Sequence, residues 1–234
     1  MMDPLEPLLN LADIADAVTG ARAAVDGAYK HPAMRRKGGL VAAEVSLRSA
    51  VASAALEGSG YDVELVRGGT VLEPVVHGAL RVAEAVPALS ERWLSAPRQV
   101  LARLHVLAGT GVIPSDDLGR PVVPIDQIFA YVGPGNPLIR GAVIHGELLA
   151  LNAFPGVNGI IARAAARLTF IAGGLDPRGV IGVDEIHLSR EPEYRGSANA
   201  FATGTPDGIR SWLKHVATAV ELGAGVTDQV AATV

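Results

Sequence analysis

Apolar residues recur along this chain at intervals of three and four, the spacing that lines one face of an α-helix. In LVAAEVSLRSAVASAALEG (40–58), Leu40, Val41, Val45, Ala52 and Leu56 belong to one such stretch, which closes on Gly58 as a helix C-terminus does. The same spacing predicts helices in VLEPVVHGALRVAEAV (71–86), PRQVLARLHVLAG (97–109), PLIRGAVIHGELLAL (137–151), NGIIARAAARLTFIAGG (158–174) and PDGIRSWLKHVATAVEL (206–222). One segment breaks the pattern. RPVVPIDQIFAYVGP (120–134) holds two short β-branched or aromatic runs around Pro124 and Asp126, which predicts a small hairpin ahead of the helix starting near Pro137. No internal repeat, low-complexity linker or heptad seam interrupts the chain. The expectation is therefore an all-α, mostly helical fold, one domain over residues 1–234, with a small β-hairpin over 120–133.

Composition narrows the function classes. With 234 residues, 49% of them hydrophobic, the chain can bury a substantial core. The absence of Cys excludes disulfides, thiolate metal sites and a cysteine nucleophile. No Lys or Arg precedes Arg22, so the basic start of a secretory signal is missing, and charged residues interrupt every apolar run before the roughly 18 to 20 residues that span a bilayer. A cytoplasmic protein without membrane partners is expected. A net charge of −4 and 4% aromatics offer neither a phosphate-neutralising surface nor a stacking platform, so nucleic acid is not an expected ligand. Self-association is left open.

Candidate chemistry concentrates in residues 137–167. Leu138, Ala142, His145, Leu149 and Asn152 fall on one helical face, with His145 and Asn152 two turns apart. The turn Phe154-Pro155-Gly156-Val157-Asn158-Gly159 then opens a second helix carrying Arg163 and Arg167 one turn apart. Unpaired N–H groups at such a helix start, with an Arg one turn in, make a candidate anion site of Gly156, Asn158, Gly159 and Arg163. The plain alternative is a Gly-containing turn between packed helices. His145 and His105 read as buried core histidines. His31 and Arg35-Arg36-Lys37 read as a solvated loop or helix end. A dinucleotide-binding reading of GPGNPL (133–138) fails, since the third Gly and a surrounding βαβ unit are missing.

The run PLIRGAVIHGELLALNAFPGVNGIIAR (137–163) resembles the core of Fic (Fido) domains. The family's loop reads His-Pro-Phe-x-Asp/Glu-Gly-Asn-Gly-Arg-x-x-Arg after a helix of the type PLIRAAxxHxxFxxI. Pro137 to Arg140, His145, Phe154, Asn158, Gly159 and Arg163 agree with it. Asn152 stands at the family's His, Ala153 at its Pro, Gly156 at its acidic residue, Val157 at its first Gly and Ile160 at its first Arg. Ser53, Glu57 and Gly58 fit the Ser/Thr-x-x-x-Glu-Gly/Asn pattern of the family's inhibitory helix, and LARLHVLAGTGVIPSDDLGRPV (101–122) resembles the lead into its target-docking flap. The resemblance implies a Fic-like core over 95–225, N-terminal helices over 1–60 that include the inhibitory-type segment 53–58, and protein targets docking on the flap at 120–133.

In the family the His deprotonates a target hydroxyl that attacks the α-phosphate of ATP, the acidic residue holds Mg²⁺, and the two Arg residues steady the phosphates. Asn152 cannot act as that base, a loss of about 10²- to 10⁴-fold on its own. Gly156 offers no carboxylate oxygen to Mg²⁺, and Ile160 no cation. The expectation is a catalytically degenerate Fic-like protein with no confident catalytic residue and no metal site, acting by binding ATP, another nucleotide or a protein. The alternative is a Fic-type transferase with non-standard catalytic residues. A further expectation is geometric: Glu57 should hydrogen-bond Arg163, since a carboxylate at a helix C-terminus and an Arg among Ile160, Ile161, Ala164 and Ala165 each call for a partner.

Overall fold

A computed structural model describes residues 3–233, and among them twelve α-helices. After a 3-10 turn at Glu6–Asn10 come α1 (Ile14–Tyr29), α2 (Ala33–Arg36), α3 (Gly38–Leu56), α4 (Val63–Arg67), α5 (Pro74–Trp93) and α6 (Pro97–Gly109). Then follow α7 (Asp126–Phe129), α8 (Pro137–Leu151), α9 (Asn158–Ala172), α10 (Val183–Ser189), α11 (Glu191–Phe201) and α12 (Pro206–Thr233). Helices α6 and α8 have the bounds their apolar spacing gives; α5 and α12 run further than expected.

Helix α8 lies along α9 at the centre. Their first and last turns divide between two apolar clusters, one with α1 and α12 around Leu138, Phe170 and Trp212, the other with α5 and α6 around Trp93, Leu104 and Leu148. Both buried indoles are satisfied: Trp93 Nε1 donates to Thr169 Oγ1 at 2.9 Å and Trp212 Nε1 to the Ala142 carbonyl at 2.7 Å. Helix α3 crosses between these groups, touching α5, α9, α10 and α12. By length and composition α3 could cross a membrane, although Glu44 and Arg48 lie within it; half of that stretch is buried inside the fold. Pro87 sits inside α5 and leaves the Ala83 carbonyl without its helical donor; Ser46 Oγ of α3 donates to it at 3.4 Å.

Helix ends set the positions that matter. Asn136 caps α8, its Oδ1 accepting the Leu138 and Ile139 N–H groups at 3.1 and 3.2 Å, and Pro137 follows where no N–H is needed. At the end of α3, Gly58 takes φ +88°; its N–H donates to the Ala55 carbonyl and the Ser59 N–H to the Ala54 carbonyl. That paired closure fixes Glu57 at the last turn.

The expected hairpin over 120–133 does not form: no strand pair occurs among the described residues, and residues 126–129 are α7 instead. Pro121 and Pro124 remove the N–H donors a two-stranded ladder needs. The segment is fastened by one backbone bond, from the Val122 N–H to the Ala153 carbonyl at 2.9 Å, which lays it beside the loop between α8 and α9.

Candidate functional site

The loop from Asn152 to Val157 connects the two central helices, and each side chain in it has a definite place. Asn152 ends α8 in the left-handed region, φ 43° and ψ 46°, where Asn is the best tolerated residue after Gly. It is exposed, as are Pro155 and Gly156. Ala153, Phe154 and Val157 are fully buried, and the Phe154 ring lies 4.8 Å from that of His105. His105 Nδ1 in turn accepts the Gly119 N–H at 3.1 Å, so this histidine shapes the loop from below, as its core reading expects.

Asn158 staples the loop. Its Nδ2 donates to the Leu148 carbonyl at 2.8 Å and its Oδ1 accepts the Phe154 N–H at 3.2 Å, tying both ends of its buried amide to the flanks of the loop. An anion at this point would also meet backbone N–H groups. The first turn of α9 offers that backbone, since Ile161 makes the first helical bond, to Val157.

Ile160 serves packing. Its side chain is 2% exposed and points into the interhelical space with Ala50, Val82 and Val86, away from the loop. Gly156 has φ +87°, a backbone setting that strains an acidic side chain. These two positions are thus shaped for packing and turning.

Arg163, 3% exposed, is the cationic centre. Its Nε donates to Ser53 Oγ at 2.9 Å, Nη2 to the Ser53 carbonyl at 2.9 Å and to Glu57 Oε1 at 2.8 Å, and Nη1 to the Tyr194 hydroxyl at 3.2 Å. The expected Glu57 contact is present. The four-residue spacing of Ser53 and Glu57 puts both on one face of α3, toward Arg163. Glu57 also covers Gly159: a Cβ built there would lie 2.0 Å from Glu57 Oε1. The carboxylate therefore lies over the start of α9, where the helix dipole favours an anion. Arg195 Nη2 donates to the Leu56 carbonyl at 2.7 Å and pins the α3 end that carries Glu57.

Burial alone would disfavour the Arg163 charge, but Tyr194, Glu57 and Asp184 around it more than offset this and keep it protonated. His145 Nε2 lies 2.9 Å from the Tyr194 hydroxyl, and burial beside Arg163 pushes that histidine well below its usual range. Tyr194, Asp184 and His187 are site neighbours that sequence reasoning missed. They sit on α10 and α11, which carry no catalytic pattern. Arg140 is taken up elsewhere, its Nη1 donating to the Tyr131 carbonyl at 2.6 Å. Arg167 Nη2 donates to the Gly179 carbonyl at 2.8 Å and stands apart from the loop.

Two solved structures share this arrangement of helices. The crystal structure of a Fic family protein from Desulfovibrio desulfuricans G20 superposes with a TM-score of 0.71 at 19% identity, covering 92% of this chain and 74% of its own. Fic-1 (residues 134–508) from C. elegans superposes with a TM-score of 0.69 at 17% identity, covering 96% of this chain and 74% of its own. The fold is that of Fic proteins. No family model and no curated protein matches the sequence. No group of three or more His, Asp or Glu side chains among the described residues could hold a metal ion, and Gly156 has no side chain to add.

Proposed function

We propose that this protein is a catalytically degenerate Fic-fold protein that binds the phosphates of a nucleotide at the start of α9 and does not transfer an adenylyl group. One observation carries the reading: the Glu57 carboxylate bonds Arg163 and covers Gly159, occupying by an intramolecular anion the place a phosphate oxygen would take. Asn152, Gly156 and Ile160 supply no base, no metal ligand and no second cation, so chemistry at a bound α-phosphate lacks its agents. ATP is the proposed ligand in the cytoplasm, with Mg²⁺ not required, and the Val122 segment over 120–133 is the proposed place for a protein target. Ser53, Glu57 and Gly58 act as the inhibitory element, closing the site against the ligand.

Calorimetry tests this with ATP, with and without Mg²⁺, on wild type and Glu57→Ala. If the closed form is 90 to 99% populated, removing Glu57 tightens binding about 10- to 100-fold. Equal binding or none in both proteins overturns the reading. A second reading, a transferase with a target-supplied base, is favoured by the same Glu57 contact, because an inhibitory carboxylate has a use where an activity exists. Transfer of label from ATP by Glu57→Ala that disappears in Arg163→Ala would establish it.

A further inference from the structure

We infer that Tyr194 is a positioning residue of the anion site: oriented by His145, it holds the Arg163 guanidinium in place when Glu57 withdraws. The inference rests on the proposed anion site and adds a residue on α11 that the loop pattern does not contain.

The direction of each hydrogen bond follows from donor and acceptor chemistry. Arginine has no acceptor, so Arg163 Nη1 donates to the Tyr194 oxygen across 3.2 Å. The single Tyr194 hydrogen then goes to His145 Nε2 at 2.9 Å, which must be the unprotonated nitrogen of a neutral ring. Tyr194 itself is fixed by packing, 3% exposed, with its ring stacked on His187 at 4.5 Å and tilted against Trp212 at 5.8 Å. With Ser53 accepting from Nε and Nη2, all three guanidinium nitrogens have a partner other than Glu57.

Departure of Glu57 therefore frees one Nη2 hydrogen and leaves the guanidinium plane where it was. Asp184 lines the cavity beneath Arg163 with His145, Arg167 and Ser49, so a carboxylate remains near the charge on its other side. An incoming phosphate oxygen meets a pre-oriented N–H, and opening is a movement of the carboxylate alone. Without Tyr194 the guanidinium could turn about its remaining bonds, and part of the ligand's binding energy would go into ordering it.

The test uses inorganic pyrophosphate, without Mg²⁺, and the full chain in the Glu57→Ala background. Adding Tyr194→Phe keeps the ring and removes the oxygen, and is expected to weaken pyrophosphate binding about 5- to 10-fold, with Tm lowered by roughly 2 to 8 °C because Arg163 and His145 each lose a buried partner. In the same background His145→Gln, whose amide oxygen can accept the Tyr194 hydrogen, should retain most of the affinity that His145→Leu loses. A role confined to packing would not separate Gln from Leu in this way. Unchanged affinity in the Tyr194→Phe protein, or equal affinity in the two His145 variants, overturns the inference while leaving the anion site standing. No pyrophosphate binding by Glu57→Ala alone overturns the site and the inference together.

Discussion

The first half of the loop between α8 and α9 and the Arg163 end that follows it are built on different principles. From Asn152 to Ile160 most positions are set by backbone or packing: Asn152 and Gly156 occupy left-handed conformations, Ala153, Phe154, Val157 and Ile160 are buried, and Asn158 alone is fixed by side-chain hydrogen bonds. At Arg163 every nitrogen is engaged by a polar partner from α3 or α11. The contrast teaches that two neighbouring stretches of one chain can be held by different means, one by backbone conformation and packing, the other by a polar network around a single buried cation.

Five substitutions test that division, beginning with the largest expected effect. Ile160→Arg forces a larger, charged side chain into the closed space it shares with Ala50, Val82, Val86, Arg167 and Asp184, and should cost about 4 to 5 kcal/mol by urea unfolding, or prevent folding. A loss below about 1 kcal/mol, with gain of ATP affinity, would show that this position can still serve the ligand. Simple restoration of the family residues is thus expected to fail on stability before activity is reached.

Arg163→Ala leaves Ser53, Glu57 and Tyr194 without their shared donor and should cost about 3 to 5 kcal/mol. Glu57→Ala should cost less, about 1 to 2 kcal/mol, because the Glu57 side chain is 23% exposed and Arg163 keeps its other partners. Equal losses in both would mean that Glu57, not Ser53 and Tyr194, is the principal support of the buried cation.

Acid should weaken the region beneath Arg163. Burial pushes His215 from 6.5 down to about 4, partly opposed by Glu193, and His145 and His187 are lowered in the same direction. A histidine lowered in the folded state favours the neutral ring, so its contribution is complete above pH 6.5 and is lost as pH falls toward 4. For His215 the loss reaches up to about 3 kcal/mol. Asp184, raised by burial, works in the opposite direction, so the slope is read as the difference between wild type and His215→Gln. The variant should be less acid-sensitive between pH 6.5 and 4; identical slopes would remove His215 from this account.

The smallest effect is expected at Arg195. Replacing it by Ala removes the hydrogen bond to the Leu56 carbonyl, costs about 1 kcal/mol and loosens the helix end that presents Glu57. Pyrophosphate binding to this variant should be tighter than to wild type. Weaker binding would mean that the pin serves the open site instead of the closed one.

Much of the fold could be read along the chain because helix periodicity and end signals are local. Asn136-Pro137 and Gly58 mark boundaries through the hydrogen bonds of their own neighbours, and the spacing of Ser53 and Glu57 already places them on one face. The segment 120–134 departs from its local pattern for a related reason. Its β-branched residues favour a strand, but a strand pair also needs N–H donors that Pro121 and Pro124 cannot give.

The sequence by itself determined which chemical groups the loop contains: an amide at 152, no side chain at 156, an aliphatic chain at 160 and a guanidinium at 163. It also determined that a carboxylate would stand at the end of α3. Tertiary structure decided which way those groups face. Ile160 turns inward because Ala50 of α3 and Val82 and Val86 of α5 offer it apolar contacts, a fact of packing between distant helices. Tyr194 reaches Arg163 and His145 across 31 and 49 residues, a meeting set by how α11 settles on α8 and α12. Hydrogen-bond partners at such separations leave no period in the chain, since their spacing depends on the path of the backbone and not on the pitch of any one helix.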